Sequence, residues 1–112
     1  MSFAKRELFD RELQDASDFF KVLSHPARLA ILKYLAGTKT CITGALSDEL
    51  PLSRTTVNQH LRELSRLGLV QGTISGVKTN YCLNPTRIEA MKNRIEMFLN
   101  GLESATNLKC ES

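Results

Sequence analysis

One amphipathic helix restricts the fold of this chain more than any other feature of its sequence. Within residues 53–67, Val57, Leu61 and Leu64 recur at intervals of four and three, which places them on one face of a helix of about four turns. Ser53 is a favourable N-cap, because its hydroxyl can accept a hydrogen bond from a backbone N–H of the first turn. The helix is therefore expected to pack one side against a core and to keep the other side polar.

The residues after this helix have the pattern of two strands. Residues 69–74 and 77–83 are rich in β-branched and apolar side chains, and Ser75-Gly76 between them is typical of a hairpin turn. Asn84-Pro85 ends the second strand. The sequence thus predicts a helix followed directly by a β-hairpin.

Four more helices are predicted around this unit. They span about residues 5–23, Ala27 to Ala36, Cys41 to Leu50, and about Thr86 to Leu102. Pro26 suits a first helical turn, Gly37 ends a helix, and Pro51 stops the helix before it. Two short helices with a tight turn and a following hairpin predict a mainly α fold, a winged helix-turn-helix with five helices and a two-stranded wing.

Composition limits the function classes that remain. The chain has 112 residues with 42% hydrophobic and 24% charged side chains, so we expect residues 1–112 to form one globular domain. No apolar run approaches the ~20 residues of a membrane-spanning helix, and the first residues lack the apolar core of a signal peptide. The three cysteines are therefore expected to be thiols in a reducing cytoplasm. No glycine-rich phosphate loop or nucleophile–base set is recognisable, so we do not expect an enzyme.

The polar face of the helix at 53–67 has side chains that suit DNA. The residues opposite the apolar positions are Thr55, Gln59, Arg62 and Arg66, and Asn58 lies beside these polar residues. Asn and Gln can bond adenine through two hydrogen bonds, Arg can bond guanine, and a Thr methyl can touch thymine. A merely solvated face usually mixes Glu and Lys, whereas the only acid in this helix is Glu63. The pattern favours a helix that enters the major groove.

These segments together resemble a known family. Residues 22–32 read Val-Leu-Ser-His-Pro-Ala-Arg-Leu-Ala-Ile-Leu, which resembles the second-helix signature of the ArsR/SmtB family of bacterial winged-helix repressors. Residues 52–64 read Leu-Ser-Arg-Thr-Thr-Val-Asn-Gln-His-Leu-Arg-Glu-Leu and are similar to the recognition helix of that family. Residues 68–70 and 81–85 are similar to its wing, so that the likeness covers about residues 15–100.

The resemblance implies a repressor that binds DNA as a homodimer through its first and last helices. Two apolar seams, at residues 9–23 and 88–102, independently call for a partner surface, because a monomer would leave part of them exposed. The residues predicted to form the dimer are Phe9, Leu13, Phe20, Ile88, Met91, Ile95, Phe98 and Leu102. The alternative is that both seams pack within one chain. A two-fold dimer places its recognition helices about one turn of DNA apart (~34 Å), so its operator is expected to be an inverted repeat.

The predicted DNA contacts come from the recognition helix and the wing. They are Ser53, Arg54, Thr55, Asn58, Gln59, Arg62 and Lys78. Ser53 is expected to cap the helix and to touch phosphate at its N-terminus, and Lys78 is expected to reach DNA from the wing tip. His60 is assigned to packing, and either Ser24 or His25 is expected to cap the helix that starts at Pro26.

The metal sites of the family are incomplete in this sequence. One uses a Cys-x-Cys pair where this chain has Cys41-Ile42-Thr43, and another uses Asp and His of the last helix, whereas residues 86–101 contain neither. Cys41, Cys82 and Cys110 could still form a thiol site for a thiophilic ion such as arsenite, or an oxidation switch; otherwise Cys41 is a small buried apolar residue. The rival function is a protein-interaction or antirepressor module that uses the same fold without its own effector.

Overall fold

The computed structural model describes residues 2–38, 42–43, 50–75 and 78–104, and the side chains of residues 5–38, 50–72 and 80–104. Within these ranges the chain forms four α-helices, three strands and one 3-10 helix. In chain order they are the 3-10 helix Ser2–Leu8, α1 Arg11–Val22, α2 Pro26–Ala36, β1 Ile42–Thr43, α3 Arg54–Arg66, β2 Val70–Ser75, β3 Lys78–Leu83 and α4 Pro85–Glu103.

Three side chains fix where α2, α3 and α4 begin. His25, Ser53 and Asn84 each accept a hydrogen bond from a backbone N–H of the first turn, at 3.0, 3.2 and 3.3 Å. Such a cap satisfies one of the N–H groups that have no partner inside the helix. The prediction for Ser53 is confirmed, and of the two candidates before α2 the cap is His25 rather than Ser24.

The three strands form one antiparallel sheet in the order β1-β3-β2. β2 and β3 are the predicted hairpin, displaced by about a residue at its start, with Val70 opposite Leu83 and Ser75 opposite Lys78. β1 contributes only Ile42 and Thr43, which pair with Tyr81 and Asn80 on the other edge of β3. The wing is therefore part of a three-stranded sheet rather than an isolated pair of strands.

Two helix predictions need correction. The helix expected from Cys41 to Leu50 is wrong at Ile42 and Thr43, because their backbone groups pair with the edge of β3 instead. Residues 41 and 44–49 lie outside the described residues, so that the described part of the chain has four α-helices and not five. The first helix is also shorter than predicted, since α1 begins at Arg11 after the separate 3-10 helix Ser2–Leu8.

The core lies where α1, α2 and α3 meet the sheet. Its most deeply buried side chains include Ile31 of α2, Leu61 and Leu64 of α3, Leu69 just before β2, and Tyr81 of β3, each at most 1% exposed. Fully burying an aliphatic side chain of this size stabilises a fold by ~1.5–3 kcal/mol. Because α3 supplies several of these side chains, its orientation is fixed by the core, and its other side is held outwards.

Candidate nucleic-acid interface

The two sides of α3 differ as the sequence predicted. Val57, Leu61 and Leu64 are 2%, 0% and 0% exposed, so the inner side is sealed into the core. We call the exposed side chains on the opposite side the outer face of α3; they are Arg54, Thr55, Gln59, Arg62 and Arg66. A rigid helix with one buried side thus presents amide, hydroxyl and guanidinium groups to solvent.

The outer face of α3 is positively charged. Its first turn contains no acid, and Arg66 pairs with Glu63 at 3.1 Å. Arg54 and Arg62 form no ion pair with any residue that the structure describes. The N-terminal end of a helix carries a partial positive charge as well, so this end of α3 attracts anions such as phosphate.

Ser53 has the geometry of a cap. Its hydroxyl oxygen accepts a hydrogen bond from the backbone N–H of Thr56 at 3.2 Å. Its hydroxyl group in turn donates a hydrogen bond to the hydroxyl oxygen of Thr56 at 2.9 Å. The side chain is exposed at the outer end of α3. A phosphate could therefore approach the backbone N–H groups there without displacing a buried group.

Asn58 is not placed where the sequence suggested. It is 7% exposed, so it lies on the inner side of α3 and not with the outer face. Position 58 follows Val57 directly and lies at the border of the apolar stripe, and the packing of the core against α3 extends across that border. The prediction that Asn58 is displayed beside Gln59 is therefore corrected.

His60 packs inside, as predicted, and it also has polar partners that the sequence did not reveal. It is 9% exposed, and its Nδ1 accepts from Nε of Arg28 at 3.2 Å. Its ring lies 4.5 Å from the ring of His25. Burial lowers the pKa of His60, the charges of His25 and Arg28 lower it further, and Glu63 raises it.

The wing tip is described only in part. Ser75 ends β2 opposite Lys78, which starts β3, so these two residues lie at the tip of the hairpin. Residues 76–77 and the side chain of Lys78 are outside the described part. The backbone therefore places Lys78 at the end of the wing, and its contact with DNA stays a prediction.

The predicted dimer residues divide into two groups. Ile88, Met91 and Ile95 pack partly buried against the chain's own core. We call the others, which remain exposed, the α1–α4 apolar surface; they are Phe9 at 59%, Leu13 at 45%, Phe20 at 39%, Phe98 at 37% and Leu102 at 53%. The alternative of packing within one chain thus holds for the first half of α4 and not for the second half.

Contacts between α1 and α4 within one chain support the α1–α4 apolar surface. The rings of Phe20 and Phe98 meet edge to face with their centres 5.7 Å apart. Arg94 of α4 lies 3.7 Å from a carboxylate oxygen of Glu12 and of Asp15 on α1. These contacts hold α1 and α4 together, so the exposed apolar side chains of the two helices form one continuous surface.

Cys82 is the one cysteine among the described residues. Cys82 lies half-buried in β3 and is disulfide-bonded, so the expectation that all three cysteines are thiols is wrong for Cys82 in this structure. Cys41 and Cys110 lie outside the described residues. Among the residues described, no group of three or more His, Cys, Asp or Glu side chains is arranged to hold a metal ion, and no described helix is long and apolar enough to cross a membrane.

Together, a helix buried on one side and positively charged on the other, preceded by α2 and followed by a hairpin, define a winged helix-turn-helix protein. Residues 23–73 match a protein family described as a helix-turn-helix domain. The chain is 33% identical over 79 residues to the HTH-type transcriptional regulator Rv2034 of Mycobacterium tuberculosis. The matched region covers 70% of this chain and 73% of that protein. The chain belongs to the HTH-type transcriptional regulators and is a DNA-binding regulator of transcription.

Two further comparisons agree with this membership. The chain is 30% identical over 76 residues to the uncharacterized HTH-type transcriptional regulator MJ1325 of Methanocaldococcus jannaschii, which covers 68% of this chain and 85% of that protein. The crystal structure of Rv0081 of M. tuberculosis matches with a TM-score of 0.56 and 24% identity, over 88% of this chain and 99% of that chain. At 24% identity, this structural match establishes the fold alone.

Proposed function

We propose that this protein is a repressor of the ArsR/SmtB type that binds an inverted-repeat promoter site as a homodimer. The observation that carries the proposal is the outer face of α3, where Arg54 and Arg62 have no ion-pair partner among the described residues. A positive face held outwards by a buried apolar stripe suits the major groove, and a homodimer presents two such faces.

Each exposed side chain has a specific part in this proposal. Gln59 bonds an adenine edge, Arg62 or Arg54 bonds a guanine edge, and the methyl group of Thr55 contacts thymine. Ser53 and the N-terminus of α3 approach phosphate, and Lys78 adds a phosphate contact from the wing. Base contacts select the sequence, whereas phosphate contacts contribute affinity for any DNA.

The α1–α4 apolar surface supports the proposed dimer. Large side chains exposed on both α1 and α4 form a continuous patch, and soluble proteins rarely leave such a patch without a partner. A second copy fits best, because a two-fold axis through this surface brings identical apolar residues together and presents two copies of α3 to one face of DNA.

Gln59→Ala is expected to weaken binding to the operator selectively. The loss of the two hydrogen bonds to adenine should raise the operator Kd by ~10-fold, with little change in the Kd for random DNA. Lys78→Ala should instead weaken both by a similar factor, because a phosphate contact has no sequence preference. Fluorescence anisotropy with a labelled duplex selected from a randomised library, and with a scrambled duplex, measures both changes. An equal loss on both duplexes for Gln59→Ala would remove it from the base-reading set.

The salt dependence of the same measurement separates the proposal from its rival. A protein-interaction module, for which the exposed α1–α4 apolar surface is the supporting feature, should bind its partner with little salt dependence. Binding to the selected duplex should weaken steeply with salt, because phosphate contacts release counterions. A library that yields no enriched duplex would contradict the repressor and favour the rival.

We propose that thiol oxidation is the signal that releases DNA. Cys82 is disulfide-bonded, and its partner lies outside the described residues. Hydrogen peroxide would oxidise the two thiols to a disulfide and be reduced to two molecules of water. A sulfur in a disulfide is no thiolate ligand, so this observation favours oxidation over a site for an ion such as arsenite formed by Cys41, Cys82 and Cys110.

Hydrogen peroxide is accordingly expected to weaken operator binding of the reduced protein by ~10-fold, the size of a typical allosteric coupling. Cys82→Ser should abolish the response and leave binding by the reduced protein intact. Cys41→Ser and Cys110→Ser, made separately, identify the partner, because only the variant that lacks the partner should also lose the response. Release by arsenite but not by peroxide would support the ion site instead. No response to either reagent would contradict both signals.

A further inference from the structure

Arg28 connects three helices through one side chain. It lies on α2, and its Nε donates to Nδ1 of His60 on α3 at 3.2 Å. Its Nη1 donates to the backbone carbonyl of Val22 at 3.3 Å. Val22 is the last residue of α1, and a carbonyl in the last turn of a helix has no partner inside that helix. One half-buried guanidinium thus ties the end of α1 to the middle of α3.

The hydrogen bond from Arg28 requires the neutral form of His60. Nδ1 of His60 accepts from Arg28, and Nδ1 of His25 accepts from the backbone N–H of Ala27 at 3.0 Å. A protonated imidazole has a hydrogen on both nitrogens and accepts no hydrogen bond. With the two rings 4.5 Å apart, a proton on His60 would also face the ring of His25 and the guanidinium.

We propose that Arg28 and His60 are positioning residues that set the direction of α3 for DNA recognition, and that protonation of His60 releases this direction. This inference rests on the proposed function, in which α3 reads DNA and α1 belongs to the dimer surface. Because Arg28 holds α1 and α3 together, it sets the angle between the dimer axis and the recognition helix. That angle decides whether both copies of α3 fit their half-sites.

The charged groups that shift the pKa of His60 lie next to or on α2 and on α3. His25 precedes α2, Arg28 lies on it, and Glu63 follows one turn later on α3. The groove next to this cluster is lined by charged side chains of α1 and α3, which are Asp18, Lys21, Glu63 and Arg66. Glu63 raises the pKa of His60, and its effect is smaller than those of burial, His25 and Arg28.

The direction of the pH effect follows from the lowered pKa of His60. The unfolded chain binds a proton at this ring near pH 6.5, whereas the folded chain binds it only at lower pH. The folded state therefore holds fewer protons below pH 6.5, and its stability falls as the pH drops through this range. Above pH 6.5 the contribution of His60 is fully present.

The test compares variants of the full chain on the selected duplex at pH 7.5 and pH 5.5. We expect binding by the wild type to weaken as the pH falls from 7.5 to 5.5, by about tenfold once His60 is fully protonated. Arg28→Met should bind about tenfold more weakly already at pH 7.5, since hydrogen bonds that involve a charged group are worth about this factor. His60→Asn keeps an acceptor near the Nδ1 position but does not titrate. It should bind like the wild type at pH 7.5 and lose the extra weakening at pH 5.5.

Two controls make the outcome decisive. Lys33→Met removes one exposed charge from the same helix and should leave the pH profile unchanged. His25→Asn retains an N-cap and should still bind more weakly at pH 5.5 than at pH 7.5, whereas loss of that weakening would overturn the role of His60. If the wild type enriches no duplex, the proposed function fails; if it enriches one and His60→Asn keeps the wild-type pH profile, this inference alone is overturned. Wild-type affinity for Arg28→Met at pH 7.5 would overturn it as well.

Discussion

Replacing Leu13 and Leu102 with aspartate is expected to convert the protein to a monomer and to weaken operator binding by ~100-fold or more, because the second half-site no longer binds as part of the same complex. The two side chains are 45% and 53% exposed on α1 and α4. Since neither is needed to fill the core of one chain, the change should act on the interface rather than on folding. Each aspartate would place a charge in an apolar contact, and the two-fold axis doubles this cost.

Sedimentation and light scattering measure the mass directly. The chain has a mass of 12.5 kDa, so the wild type should have about twice this mass and the double variant should have the mass of one chain. Leu29→Asp is the matched control, because Leu29 is 50% exposed on α2 and lies outside the α1–α4 apolar surface. A wild type that is monomeric while it binds the selected duplex would contradict the proposed dimer.

The elements that sequence predicted best are those with local causes. α3 was predictable because Val57, Leu61 and Leu64 repeat with the helical period and Ser53 satisfies the first turn. The hairpin was predictable from two stretches of strand formers around Ser75 and residue 76. In each case the local sequence favours the same structure that tertiary packing stabilises.

The features that sequence missed depend on partners far along the chain. β1 has two residues, too few for any pattern, and it exists because β3 offers a second edge for hydrogen bonding. The contact of Arg28 with His60 joins residues 32 positions apart, and no spacing rule indicates it. The burial of Asn58 depends on how far the core extends around α3, which periodicity alone does not fix.

The seam on α4 shows the same limit for the dimer surface. Its residues repeat evenly along the helix, yet Ile88 packs against the chain's own core and Leu102 is exposed. An apolar repeat predicts that a surface is covered and not which surface covers it. Only the position of α1, α3 and the sheet relative to α4 separates the two halves.

Gly72 is a further feature whose importance the sequence did not show, and Gly72→Ala is expected to lower the free energy of unfolding by ~3 kcal/mol or more. Its φ is +126°, a backbone conformation that side chains rarely adopt. A Cβ at this position would collide with the carbonyl of Asn80 and approach the Cα of Tyr81 on β3. Gly72 pairs with Tyr81, which is 1% exposed, so relief of the collision would disturb the core as well as the wing.

Thermal unfolding followed by circular dichroism tests this expectation, with a decrease in Tm of ~10 °C or more for a domain of this size. Gly37→Ala is the matched control, because Gly37 has a φ of −80° and its Cβ would meet its nearest atoms at 3.5 and 3.7 Å, an ordinary contact. The control should leave Tm unchanged or slightly higher, since alanine restricts the unfolded chain. If Gly72→Ala melts like the control, the backbone at position 72 is not constrained, and the wing must hold Tyr81 in the core through the other pairs of β2 and β3.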